Sequence, residues 1–121
     1  HDGVSFCFDD NLHTFMFINC RFNSIAYVPY IPATGTLRLD SDKVVYTKDK
    51  YMRLQTPMVF PFYQFYGCYN KAKDKGIEYQ TASDLYEDNS GLVNYVMGNR
   101  LNIKITFAED IDVVKLLYNH E

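Results

Sequence analysis

The residues that could do chemistry in this chain are few and scattered. Its histidines are His1, His13 and His120, two of them at the termini, and none stands at motif spacing from a Cys, Ser or acidic residue. A nucleophile must lie within hydrogen-bond reach of its base, and no local pattern brings such a pair together. The spaced motifs HExxH, GxSxG, GxxxxGK and GxGxxG are absent. On these grounds no catalytic residue is expected and the chain is read as a non-enzyme.

Metal and redox chemistry fare no better. Asp9, Asp10, Asp40 and Asp42 lack the DxDxDG order that spaces oxygens around calcium, so they read as solvated turn residues. Cys7, Cys20 and Cys68 are odd in number and form no CxxC pair. They read as reduced, core-facing thiols, with one disulfide as the alternative. No cofactor and no metal is expected. Asp84, Glu87 and Asp88 make the densest acidic patch, a solvated loop or a face for a basic partner.

Two sets of side chains suggest binding instead. Lys48, Lys50 and Arg53 lie beside one expected hairpin tip, and Lys71, Lys73 and Lys75 in another. Tips pointing to one end of a barrel would converge on a phosphoinositide headgroup, each cation contributing about 1 kcal/mol near an anionic leaflet. Ordinary solvated tips are the plainer account, since Asp49 and Asp74 dilute the field. The second set is aromatic: if Phe60 to Tyr69 is a strand, alternation sends Tyr63, Phe65 and Tyr69 to a possible protein-binding face, unless they fill the core.

The elements that would position these residues read as strands. Val4 to Phe8 alternates and stops at Asp9-Asp10-Asn11; Thr14 to Phe22 is an apolar, extended run; Ile25 to Tyr30 is another, broken by Pro29, Pro32 and Gly35. Thr36 to Asp40 and Lys43 to Thr47 form a tight hairpin, and Tyr51 to Leu54 is a strand that Pro57 and Pro61 confine to an edge or bulge. Phe60 to Tyr69 and Ile77 to Thr81 flank the polar turn from Asn70 to Gly76. Residues 83 to 91 are a loop in which Ser83 could cap one helical turn. Leu92 to Val96 and Leu101 to Phe107 close the set as a hairpin. Ile111, Val114, Leu117 and Tyr118 recur at helical spacing behind Glu109 and Asp110, which predicts a C-terminal helix.

With 121 residues, 47% of them apolar, the chain suits one domain spanning residues 1–121. Its net charge of −3 provides no broad positive field for nucleic acid. The apolar runs are far shorter than the roughly 20 residues of a membrane-spanning helix. The absence of an Asn-x-Ser/Thr sequon agrees with a cytoplasmic or nuclear address. A His start rather than Met suggests a trimmed chain or a mature secreted product.

Consecutive hairpins finished by one helix resemble a pleckstrin-homology-like barrel, and the residues resemble the GRAM domain of the WW-domain-binding protein 2 family. Gly35-Thr36-Leu37-Arg38-Leu39 with Lys43-Val44-Val45-Tyr46, Phe60-Pro61-Phe62-Tyr63 through Gly67-Cys68, and Lys104-Ile105-Thr106-Phe107 are similar to that family's successive strands. The resemblance implies a mainly β fold, a PH-like/GRAM barrel of about seven antiparallel strands with a C-terminal α-helix. It implies a non-catalytic adaptor or transcription coactivator whose protein partners include WW-domain proteins, bound through a tail outside this chain; Val28-Pro29-Tyr30 does not satisfy their motif. A peripheral module on phosphoinositide membranes is the first alternative. A viral or secreted β-sandwich interaction domain is the second.

Overall fold

The computed structural model describes residues 4–5, 9–33, 37–38, 45–46, 51–102, 104–105 and 108–119. Its first long element is a helix, α1 (Asp10–Asn23), where the sequence suggested an extended run. Asp9 caps it by accepting the Leu12 N–H at 2.9 Å, and Ser24, at φ 56°, ends it by donating its N–H to the Cys20 carbonyl at 2.9 Å. Apolar residues on every side of α1 hid its periodicity. Leu12, Met16 and Cys20, spaced by four, turn inward on Tyr27, Val59 and Val96, and the half-exposed Phe15 meets Tyr27 edge-on.

The next strand, β2 (Ala26–Pro32), is the centre of a three-stranded open sheet. Beyond it come the short pair β3 (Leu37–Arg38) and β4 (Val45–Tyr46), then β5 (Met52–Leu54). β5 pairs antiparallel on one flank of β2, with Tyr30 opposite Leu54 and Pro32 opposite Met52. The other flank is taken by β6 (Val93–Met97), which runs parallel to β2 from Ala26 opposite Val93 to Tyr30 opposite Met97. Parallel neighbours need a long crossover, and two helices supply it: α2 (Phe62–Lys75) and α3 (Ala82–Asp88). Ala26 to Pro29 are all buried, as expected of a strand covered on both faces.

α2 replaces the expected aromatic strand. Pro61 stands at its N-cap with φ −70°, and Gly76 ends it at φ 68°, a left-handed conformation that glycine adopts without steric cost. Phe65, Cys68 and Ala72 face inward at helical spacing, and helix geometry outweighs the strand preference of Phe and Tyr. Residues 77–81 form no strand. Thr81, not Ser83, caps α3 by accepting the Asp84 N–H at 3.1 Å.

Alternation along β2 divides the core. Tyr27 joins the α1 side, whereas Ala26 meets Cys68 and Tyr86 with Phe60, Phe65, Leu85 and Val93 on the side of α2 and α3. The result is an α/β layered fold. The PH-like barrel and the β-sandwich are both corrected by it, because β6 pairs parallel with β2 instead of closing a hairpin, and the sheet stays open. β7 (Lys104–Ile105) pairs with β1 (Val4–Ser5), Ser5 opposite Lys104.

Other expectations match. The β3–β4 hairpin forms, with Leu37 opposite Tyr46; β5 is an edge strand; and the C-terminal helix is present as α4 (Ala108–Asn119). Of the apolar residues at helical spacing that predicted it, Ile111 is exposed. Cys20 and Cys68 are free and buried, while Cys7 lies outside the described residues.

A candidate anion site at the carboxyl edge of the sheet

In open α/β sheets the crevice beyond the carboxyl ends of parallel strands is where ligands bind. Here β2 and β6 end side by side, and the Gly98 N–H donates to the Tyr30 carbonyl at 2.6 Å, one step past the ladder. The chain then turns sharply. Asn102 donates its N–H to the Asn99 carbonyl at 3.0 Å, and the Asn99 side chain accepts the Leu101 N–H at 2.8 Å. Asn at the first turn position favours this geometry, because its side chain substitutes for a backbone acceptor.

Gln55 holds that turn from the opposite flank of β2. Its backbone N–H donates to the Pro29 carbonyl at 2.8 Å, and its buried carboxamide crosses to Asn99. Nε2 donates to the Asn99 carbonyl at 2.7 Å while Oε1 accepts the Asn99 N–H at 3.0 Å. A Cβ on Gly98 would stand 2.1 Å from Oε1, so glycine is what leaves room for the pairing. Asn102 completes the tie by donating Nδ2–H to the Thr56 carbonyl at 2.6 Å. Two exposed cations attend this edge among the described residues: Arg53 on β5 opposite Ile31, and Arg100 within the turn.

Of the described residues singled out from the sequence, Arg53 belongs to this edge. Lys71, Lys73 and Lys75 lie exposed in the last turns of α2, where positive charge complements the helix dipole, not at a hairpin tip. Lys48, Lys50, Asp40 and Asp42 lie outside the described residues. Tyr63 and Tyr69 are exposed on α2, whereas Phe65 turns inward with its ring 4.8 Å from Phe60 and 6.0 Å from Tyr86. The helical twist of about 100° per residue separates them, so they do not share one face. Gln55, Asn99 and Asn102 escaped notice because amides carry no motif.

An open concavity lies elsewhere and is acidic, lined by Tyr79, Asp84, Glu87 and Asp88. Tyr79 donates its hydroxyl to Asp88 and Tyr95 donates to Glu87. Burial and then the Glu87 bond push the Tyr95 hydroxyl up to about 12; the bond to Asp88 raises Tyr79. Such a surface repels phosphates. A second groove, about 330 Å³, runs between α2 and residues 89–92. Burial raises the Cys20 thiol, which makes it a poor nucleophile. Among the described residues no three His, Cys, Asp or Glu gather as a metal cluster.

Comparison with known proteins supplies what the local geometry leaves open. The profile of the family described as "IspD: 2-C-methyl-D-erythritol 4-phosphate cytidylyltransferase" matches residues 1–119. The bifunctional enzyme IspD/IspF of Wolbachia pipientis wMel is 30% identical over 112 residues, 90% of this chain and 26% of that protein. The 2-C-methyl-D-erythritol 4-phosphate cytidylyltransferase of Thermus thermophilus shares the fold with a TM-score of 0.79 at 23% identity, over 90% of this chain and 55% of that one. The 4-diphosphocytidyl-2C-methyl-D-erythritol synthase of Anaerococcus prevotii aligns at 27% identity and TM-score 0.73, over 88% of this chain and 51% of that one. The chain thus spans about half of these solved relatives and about a quarter of the bifunctional one.

These matches overturn the GRAM resemblance, and with it the non-catalytic adaptor, the WW-domain partners and the phosphoinositide module. Its quoted segments are short apolar and aromatic strings, and the distinctive one, Phe60 to Cys68, is mostly helix. The inference from missing catalytic motifs to a non-enzyme also fails, because nucleotidyl transfer takes its nucleophile and leaving group from the substrates and asks the protein mainly for position and charge. By a match that runs nearly end to end, the chain belongs to the 2-C-methyl-D-erythritol 4-phosphate cytidylyltransferase (IspD) family.

Proposed function

We propose that this chain, residues 1–121, forms part of a cytidylyltransferase domain and contributes the carboxyl-edge cations that receive the acceptor phosphate. The reaction follows from the relatives' names. A phosphate oxygen of 2-C-methyl-D-erythritol 4-phosphate attacks the α-phosphorus of cytidine triphosphate, the bond from that phosphorus to the bridging oxygen breaks, and pyrophosphate leaves. No general base is required, since a phosphomonoester dianion is already the nucleophile. What is required is cationic positioning of two mutually repelling polyanions.

The observation that carries this reading is the fixed Asn99–Asn102 turn at the end of the parallel pair, with Arg100 in it and Arg53 on the neighbouring strand opposite Ile31. The acceptor phosphate is the group assigned to these residues, as an anion in the crevice beyond the carboxyl ends of the parallel strands. The test is pyrophosphate release by the full polypeptide carrying this chain, supplied with cytidine triphosphate and 2-C-methyl-D-erythritol 4-phosphate. Release that depends on the acceptor, and that weakens with added salt as screening of charge demands, is expected. Absence of acceptor-dependent release overturns the reading.

A further inference from the structure

Gln55 is one of three buried polar or charged residues among those described, beside Ser83 and Asn89. Burying a carboxamide costs free energy unless its donors and acceptor are matched, and an aliphatic side chain would fill the same space without that cost. The matching is unusually complete. One amide group takes both the N–H and the C=O of Asn99, the double pairing that a neighbouring strand would make, and it does so across β2. A longer contact of 3.5 Å leads from Nε2 to the Asn102 carbonyl. Gly98 is shaped to admit it, because any Cβ there collides with Oε1.

We infer that Gln55 is a positioning residue for the acceptor phosphate: it fixes the Asn99–Asn102 turn so that Arg100 is presented in one place at the carboxyl edge. This rests on the cytidylyltransferase reading. The arrangement is a side chain at the end of β5 setting the backbone of a turn from which the exposed Arg100 projects. Preorganisation of that kind acts on the substrate whose charge the arginine meets and leaves the nucleotide's affinity unchanged.

Steady-state kinetics of the full polypeptide test it. Gln55→Leu should raise KM for 2-C-methyl-D-erythritol 4-phosphate about tenfold, the worth of one well-placed charge-assisted contact, with KM for cytidine triphosphate within about twofold of wild type. Arg100→Ala should do the same, and the double variant should be no worse than either single one, since both remove the same contact. Gly98→Ala displaces the carboxamide from the other side and should reproduce the Gln55→Leu pattern, which also decides the matter if Gln55→Leu does not fold. Hydrogen exchange at the Asn99 amide reports whether the turn is released. If exchange accelerates while the acceptor KM stays within twofold, or if the double variant shows additive losses, the inference is overturned. Wild-type protein without acceptor-dependent pyrophosphate release would instead remove the reading beneath it.

Discussion

Gly91 donates its N–H to the Tyr86 carbonyl at 2.7 Å, and its α-carbon lies so near that a Cβ would stand 2.4 Å from Cδ2 of the Tyr86 ring. The loop after α3 therefore wraps over the largest fully buried side chain among the described residues, whose ring also meets Phe60 at 5.3 Å. Gly91→Ala must move either ring or loop. Overpacking of this kind costs roughly 1–3 kcal/mol. Urea denaturation should show the midpoint falling with an unchanged slope, and a loss under about 0.5 kcal/mol would mean that the ring is not held as described.

The helix caps give a second prediction. Asp9 accepts the Leu12 N–H and Thr81 accepts the Asp84 N–H, each satisfying a donor that the helix itself cannot. Asp9→Ala and Thr81→Ala should each cost about 1 kcal/mol, and Asp9→Asn much less, because Asn caps as well as Asp. Thermal melts followed by far-ultraviolet circular dichroism would resolve the difference. Equal losses for Ala and Asn at position 9 would show that charge near the dipole, not the hydrogen bond, is what matters there.

Those caps also show why much of the fold was hidden in the sequence. Asp9-Asp10-Asn11 reads equally well as a turn after a strand or as the start of a helix, and the long apolar run behind it carries little polar contrast to reveal a period of 3.6. In Phe60 to Tyr69 the aromatic content spoke for a strand, while Pro61 at the start and Gly76 at the end marked a helix. The pairing of Leu37–Arg38 with Val45–Tyr46, the edge strand Met52–Leu54 and helix α4 lie where the pattern puts them, whereas the alternation of Leu101 to Phe107 misled, since Leu101 is in a turn and Lys104–Ile105 pairs with β1, not β6. The parallel pairing of β2 with β6 was not legible, because it joins segments more than sixty residues apart and no local signal specifies it. The candidate site depends on that pairing, and so it was missed with it. Arg53 was singled out, but with Lys48 and Lys50 as its companions and not Gln55 and Arg100.

Alkaline stability follows from three raised tyrosines, two of which donate to the acidic residues of α3. Burial, then the bond to Glu87, raises the Tyr95 hydroxyl to about 12, and Tyr79 and Tyr86 are raised as well. A folded-state pKa above the unfolded value of about 10 means that the native state holds the proton more tightly. The stabilisation is complete below pH 10 and is lost as pH climbs towards 12. Tyr95→Phe cannot ionise and should flatten this decline without abolishing it, since Tyr79 and Tyr86 still titrate. Urea midpoints between pH 9 and 11 are the measurement, and identical slopes for wild type and variant would show that Tyr95 does not contribute.

Two basic regions among the described residues, the Arg100 turn and the end of α2, differ in how each could meet the proposed acceptor, and charge reversal separates them. Arg100 belongs to a turn locked by Gln55 and Asn102, so a phosphate there meets a cation whose backbone is already ordered. Lys73 projects from the last turns of α2, exposed, on a flexible stem beside Asp74. An exposed flexible cation contributes under about 1 kcal/mol to a partner, and salt screens most of that. Arg100→Glu replaces attraction by repulsion at the substrate and should raise the acceptor KM by more than about tenfold at low ionic strength. Lys73→Glu should leave it within about twofold, the difference between the variants shrinking as salt is added. Equal effects from the two substitutions would mean that the long-range field of the whole surface, and not the carboxyl-edge turn, gathers the acceptor.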